Sequence, residues 1–253
     1  MAVTYRNGIS ILELIAYLPS FFVATFLVYR HGVRKSGGFV FLVIFTIVRI
    51  VGACCELATI NSPSTGLYTI AAICSSIGLS PLLMTCSGLL SRANQSMPRP
   101  RIHHFAFTFF RVVTIVALAL TVSGLTWNMT LDGLKHPNIV AKVGMSLYLC
   151  DWVVMCILLG ILFLSRSSIE KGENRTLAAA AVSAPFILVR IIYDMLLFFL
   201  ANSTFNIIDG SYTVQLFMSV FDELIVAFVC LAVGFTLRVR EKYWKSVPDL
   251  DVA

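Results

Sequence analysis

The stretch FVFLVIFTIVRIVGACCELATI, residues 39–60, decides the class of fold. Its 22 residues include only two charged side chains, those of Arg49 and Glu56. A helix needs roughly 20 predominantly apolar residues to cross the hydrocarbon core of a bilayer. This segment therefore predicts a transmembrane helix.

The rest of the chain repeats this pattern. Of its 253 residues, 58% are hydrophobic and 13% are charged, whereas soluble domains carry about 25% charged residues. This composition excludes a disordered chain, a disulfide-stapled secreted module and an enzyme with a water-exposed surface. We predict an all-α fold, a bundle of seven transmembrane helices. The predicted spans 1 to 7 cover residues 9–30, 39–60, 67–90, 105–127, 143–164, 177–200 and 212–237.

The basic residues predict the orientation of the bundle. Thirteen of the 19 Lys and Arg residues fall in the loops after spans 1, 3 and 5 and in the tail, and three fall on the opposite side. Because basic loops stay in the cytosol, we predict an outside or lumenal N-terminus and a cytosolic C-terminus. Residues 1–238 then form the membrane domain and 239–253 a cytosolic tail, and we expect a multi-pass protein of the endoplasmic reticulum. The glycosylation sequons at Asn128 and Asn202 fall on the predicted lumenal side.

The charge and the residue composition limit the kinds of molecule and metal ion that the protein is expected to bind. The net charge is +6, but the basic residues lie between apolar runs and never line one long face, so nucleic acid is not a predicted partner. The seven cysteines all fall in apolar segments without metal-ligand spacing, and we expect neither disulfides nor a metal site. The histidines fall in predicted loops, which disfavours haem or di-metal chemistry: His31, His103, His104 and His136.

Acidic residues inside the spans are the informative feature. An ionised side chain at the centre of a bilayer costs at least about 2.5–3.5 kcal/mol. Such residues therefore face the bundle interior, pair with a cation or keep their proton, and a buried neutral carboxyl is a ready general acid. The candidate catalytic acids are Glu56, Asp151, Asp194, Asp222 and Glu223. Glu13 lies near the end of span 1, and we expect it at the interface.

Helical spacing assigns these residues to faces. Arg190, Tyr193 and Asp194 form one stripe on span 6, and Gln215, Ser219 and Asp222 form another on span 7, with Glu223 rotated by about 100° from Asp222. If the stripes face inward, they line a pocket with an acidic wall, an arginine floor and aromatic sides, open toward the lumen. The candidate substrate-binding residues are Arg49, Arg190, Tyr148, Trp152, Tyr193, Phe217, Gln215 and Ser219.

Structural interpretations of the same residues stay open. Arg49 with Glu56, and Arg190 with Asp194, can form ion pairs that hold helices in register. The aromatic side chains can serve as bundle packing. The short match between 48–50 (VRI) and 189–191 (VRI) hints at a repeat relating spans 2 and 6.

Missing motifs exclude several classes of membrane protein. Span 7 contains no lysine for a retinal Schiff base and no Asn-Pro motif, so opsins and rhodopsin-like receptors do not fit. The chain also lacks HExxH, nucleotide-binding and aspartate-rich diphosphate motifs.

Two short motifs carry a resemblance. The segments GACCEL (52–57) and VFDEL (220–224) place an acid in span 2 and another in span 7. In length, topology and these positions the chain resembles small fungal seven-helix membrane cyclases of meroterpenoids. It is closer to the ascofuranone and macrophorin type than to the paxilline and pyripyropene type, which has aromatic residues just before the acid of span 2.

The resemblance implies a terpene cyclase of fungal secondary metabolism, an isomerase or lyase. Its substrate is a lipophilic, prenylated small molecule that enters from membrane lipid, and Glu56 or Asp222 protonates an epoxide or terminal alkene. No metal or other cofactor is implied. The alternatives are a non-catalytic receptor or sensor and a proton-coupled transporter, for which Pro81 and Pro185 are candidate kinks.

Overall fold

The computed structural model describes residues 5–32, 38–60, 62, 64–127, 138–170, 172–200 and 212–237. Within them all regular secondary structure is helical, and seven spans are long and apolar enough to cross a membrane, which confirms the predicted fold class. The sequons and the predicted tail lie outside the described residues.

The spans follow the predicted boundaries closely. Span 5 begins four residues earlier than predicted, because Lys142 is accommodated in its first turn with the ammonium group 5.7 Å from the ring centre of Phe199. The helices of spans 1 to 7 are Tyr5–His31; Phe39–Ala58; Thr65–Ile77 and Leu79–Gln95; His104–Thr126; Ile139–Leu164; Asn174–Phe199; and Tyr212–Gln215 followed by a π-helical turn, Leu216–Val220, and Phe221–Thr236.

Span 3 is the central element of the bundle. Every residue from Leu79 to Asn94 is buried, and this helix packs against spans 2, 4, 5 and 6. Span 1 packs against spans 2 and 7, and span 4 against span 5. Spans 4 and 5 approach closely, because a Cβ atom on Gly144 would lie 2.8 Å from the main-chain nitrogen of Thr121.

We call the end at which spans 1, 3, 5 and 7 finish the basic end. There the last carbonyls of span 7, which have no donor within their own helix, accept from basic side chains. Arg30 donates to the carbonyl of Phe235 at 3.2 Å, and a ring nitrogen of His31 lies 3.2 Å from that of Gly234. The prediction that all four histidines lie in loops is therefore wrong for His31, which ends the helix of span 1 and is buried, and for His104, which begins that of span 4.

The same end contains a buried ion pair between spans 3 and 6. Both carboxylate oxygens of Glu173 lie 3.0 Å from Nε of Arg92, and one lies 2.9 Å from its Nη2. This two-pronged contact ties the finish of span 3 to the start of span 6.

Candidate functional site

Glu223 of span 7 lies at the centre of the bundle between two arginines. Its side chain is 0% exposed. One carboxylate oxygen accepts from Nε of Arg190 at 2.7 Å, and the other forms an ion pair with Arg49. A single carboxylate thus joins spans 2, 6 and 7.

Each arginine also contacts a second acid. Nη1 of Arg49 lies 3.6 Å from a carboxylate oxygen of Glu13, and Arg190 pairs with Asp194 one helical turn along span 6. We call these five residues the charged cluster: Glu13, Arg49, Glu223, Arg190 and Asp194. Acids and bases alternate along it, and all five side chains are buried. With every group ionised, its net charge is −1.

The geometry confirms one predicted pair and corrects two predictions. Arg190 and Asp194 form the expected ion pair. Arg49 pairs with Glu13 and Glu223 rather than with Glu56, because the acids of spans 1 and 7 approach the guanidinium group from neighbouring helices. Glu13 is not interfacial, because it lies inside the bundle facing span 2.

Span 3 contributes its main chain to the site. Its helix is interrupted at Gly78, where Pro81 removes a donor for the carbonyl of Ile77, and the hydroxyl of Ser80 donates to that carbonyl at 3.2 Å. The carbonyl of Ser75 lies in the turn before the break and accepts from Nη2 of Arg190 at 3.0 Å. The interruption therefore supplies a polar contact in an apolar span.

Gly78 leaves the space that Arg49 occupies. A Cβ atom at this position would lie 3.1 Å from Nε and 3.2 Å from Nη2 of Arg49. Span 3 thus lies against both arginines of the charged cluster. One of its carbonyls accepts from Arg190, and the lack of a side chain at Gly78 leaves room for Arg49. Nothing in the sequence pattern alone distinguishes Gly78 from other glycines of the spans.

The π-helical turn Leu216–Val220 sets the orientation of span 7. A π-turn contains more residues than an α-turn, so it rotates the following residues relative to a regular helix. Ser219 stays buried, and Glu223 rather than Asp222 contacts the arginines. The prediction of Phe217 as a pocket residue is wrong, since this side chain is 62% exposed and stacks on Phe221 at the bundle surface.

Asp222 and Glu56 lie beside the charged cluster. Asp222 is 7% exposed and close enough to Arg190 and Glu223 to interact electrostatically, and its Oδ2 atom has no hydrogen-bond partner among the described residues. Glu56 is half-buried and within electrostatic range of Glu13. Five carboxyl groups thus lie in or beside a cluster that contains two guanidinium groups.

Asp151 occupies a different place, the contact between spans 4 and 5. It is 2% exposed and lies beside the hydroxyl of Thr114, which donates to the carbonyl of Phe110 at 2.9 Å, and its Oδ2 atom has no hydrogen-bond partner among the described residues. Its neighbour Trp152 donates from Nε1 to the carbonyl of Ala184 in span 6 at 2.9 Å. Trp152 therefore ties span 5 to span 6, and Asp151 lies at the contact of spans 4 and 5, outside the charged cluster.

The remaining predicted residues surround the cluster at different depths. The ring centre of Tyr193 lies 5.6 Å from Cζ of Arg190. Tyr148 is buried near Ser80, and its hydroxyl has no hydrogen-bond partner among the described residues. Gln215 is half-buried in the turn before the π-helical segment.

Sequence reasoning missed Tyr17. Its side chain is fully buried, packs edge to face on Phe45 with ring centres 5.4 Å apart, and lies in electrostatic range of Glu13, Arg49 and Glu223. Its spacing of four residues from Glu13 places both on one face of span 1, a signal that the interfacial assignment of Glu13 hid.

Metal ligation does not explain the acids. Among the described residues no group of three or more His, Cys, Asp or Glu side chains is arranged to hold a metal ion. The charged cluster instead balances its acids with guanidinium groups, an arrangement that suits proton transfer or the fixing of helices.

Fold and site together define a seven-span membrane protein with a buried cluster of acids and arginines. Residues 3–240 match the family described as a domain of unknown function, DUF7702, and the chain belongs to that family. No curated protein and no solved structure matches the chain.

Proposed function

We propose that this protein is a membrane-embedded terpene cyclase that protonates a prenylated, lipophilic substrate and guides its cyclisation. The observation that carries the proposal is the position of Asp222, a buried acid that lies beside the charged cluster but forms no ion pair with either arginine within the described part of the chain. A buried acid of this kind can donate a proton where water does not compete.

The charge balance supports Asp222 as the protonated acid. Glu13, Asp194 and Glu223 each contact a guanidinium group, which favours their ionised form. Asp222 makes no such contact within the described part of the chain, and we therefore propose it as the acid of this site that keeps its proton. Glu56, at the edge of the cluster, serves as the second carboxyl.

The chemistry balances as an isomerisation. The proton of Asp222 moves to an epoxide oxygen of the substrate, a C–O bond breaks, and a carbocation forms at the carbon. An alkene of the prenyl chain donates its π electrons to this carbon and forms a ring. A cluster carboxylate takes the proton that the last cation releases, so no oxidant or reductant is consumed.

The neighbouring aromatic rings have a role in this scheme. The faces of Tyr17 and Tyr193 can stabilise a passing carbocation by cation–π attraction. Arg49 and Arg190 keep Glu223 ionised and hold a polar end of the substrate. The distribution of basic loops supports a site in the lumenal half of the membrane. The proposal puts that membrane in the endoplasmic reticulum of a fungus, with the substrate entering from lipid.

The test is turnover of a farnesylated phenol with a terminal epoxide by membranes that contain the full chain. Asp222→Asn and Glu56→Gln should abolish the cyclised product measured by mass spectrometry. Asp151→Asn, which also removes a buried acid but lies outside the cluster, is the matched control and should retain it. Normal turnover by the first two variants, or none by the wild type, contradicts the proposal.

Proton-coupled transport is the second candidate, favoured by a specific observation. Both irregular helix segments, the break at Gly78 and the π-helical turn of span 7, lie beside the charged cluster, and transporters build their binding sites from interrupted helices. Acidification of proteoliposomes on addition of the same substrate, without product, would favour transport over cyclisation.

A further inference from the structure

A cavity of about 420 Å³ lies at the basic end, away from the charged cluster. It is formed by the finish of span 5, the following 3₁₀ turn and the first turns of span 6. Its volume falls within the range of sites for small ligands. Its lining includes Phe163, Arg166, Ile169, Asn174, Leu177 and Ala178.

The cavity has a cationic side. Arg166 is exposed, its Cζ atom lies 5.4 Å from the ring centre of Phe163, and it forms no ion pair with another described residue. Asn174 begins the helix of span 6, where main-chain N–H groups lack partners within the helix and carry a partial positive charge.

The neighbouring acid does not cancel this charge. Glu173 is buried in the two-pronged ion pair with Arg92, so its negative charge is already balanced. Glu170 is exposed and is not part of the lining. The cavity therefore favours an anionic group near Arg166.

The other side of the cavity is apolar and reaches the bundle surface. Ile169 and Leu177 are buried and form its floor. Phe163 is half exposed, and its neighbour Leu164, at the end of span 5, is almost fully exposed, as expected for side chains that face lipid. A ligand here can place a charged end at Arg166 and an apolar chain along the surface of span 5.

We propose that this cavity binds an anionic phospholipid, with the phosphate beside Arg166 and the start of an acyl chain over Leu177. Basic pockets between helices at the cytosolic end of a membrane protein suit such headgroups. The loops at this end carry most of the basic residues of the chain. The site is independent of the charged cluster and of the proposed reaction.

The experiment measures lipid binding to the full chain purified in detergent. Native mass spectrometry with phosphatidylserine and, separately, phosphatidylcholine gives the two dissociation constants. We expect the wild type to prefer phosphatidylserine, and Arg166→Gln to weaken its binding about fivefold, the loss expected for one cationic contact. Ala178→Trp, which fills the cavity from an exposed position, should weaken binding of the same lipid without removing charge.

The matched control is Arg101→Gln, which removes an exposed charge at the same end outside the cavity. It should bind phosphatidylserine like the wild type. An equal loss in this control would show general surface attraction and overturn the proposal. Unchanged binding by Arg166→Gln would also overturn it, as would competition by inorganic phosphate as strong as that by the lipid.

Discussion

Glu223 and Asp151 are both buried acids of membrane-spanning helices, yet their surroundings differ. Glu223 lies between Arg49 and Arg190 and joins three spans, whereas Asp151 has a threonine hydroxyl as its neighbour at the contact of two spans. Burial alone therefore does not mark a functional acid. The charges that surround it decide whether it can belong to a proton-transfer site or only to a helix contact.

The two regions also differ in backbone regularity. Spans 4 and 5 are continuous helices in close contact, and small residues such as Gly144 let them approach. Spans 3 and 7 are both irregular where they meet the charged cluster. Irregular helix segments beside buried charges are typical of membrane sites that bind a ligand or transport an ion or substrate.

The largest effect is expected from Glu223→Gln. This change removes one partner of two buried ion pairs, and breaking such a pair costs about 3–5 kcal/mol. The free energy of unfolding of the purified protein in detergent, from denaturant titration, measures it. Glu170→Gln, at an exposed site, is the control and should stay within about 0.5 kcal/mol of the wild type; a similarly small effect at Glu223 would show that the cluster is not a structural centre.

A smaller loss of stability is expected from Gly78→Ala. The added methyl group would press on the guanidinium group of Arg49, and overpacking of a filled interior costs about 1–3 kcal/mol. The control is Gly160→Ala in span 5, where a Cβ atom meets nothing within 4 Å. If both variants unfold at the same denaturant concentration, the close contact between span 3 and Arg49 is wrong.

The smallest effect is expected from Thr114→Val, which removes the hydroxyl beside Asp151. Because this hydroxyl donates within its own helix, it can only accept from the carboxyl group of Asp151, and hydrogen bonds between membrane helices contribute about 0.6 kcal/mol on average. Thr25→Val is the matched control, since both hydroxyls donate to the carbonyl four residues earlier and Thr25 is exposed. A loss at Thr114 as large as that at Glu223 would remove the distinction between the two regions.

The sequence predicts the spans well because each one is a long apolar stretch, and it predicts the pair of Arg190 and Asp194 because they share one helix. It does not predict the contacts of Glu13 and Arg49 with their partners, since these depend on which helices become neighbours. Residue type alone does not place Phe217, because an aromatic side chain of a membrane helix can pack inside the bundle or face lipid.

The break of span 3 was equally hidden. Pro81 predicts a local irregularity of the helix. Whether that irregularity forms part of a site depends on two arginines that are distant in the sequence. The carbonyl of Ser75 belongs to the main chain, and Gly78 contributes only the absence of a side chain. Neither residue type therefore indicates that an arginine is its partner. Contacts between residues that are distant in the sequence therefore complete the site, and the sequence alone shows only its charged members.

The most direct test of the central claim is infrared spectroscopy of the purified protein at neutral pH. We predict that Asp222→Asn removes a band of protonated carboxyl groups and leaves the carboxylate bands unchanged, while Glu223→Gln removes carboxylate absorption. Loss of carboxylate absorption in Asp222→Asn, with no change in the protonated band, would contradict the account.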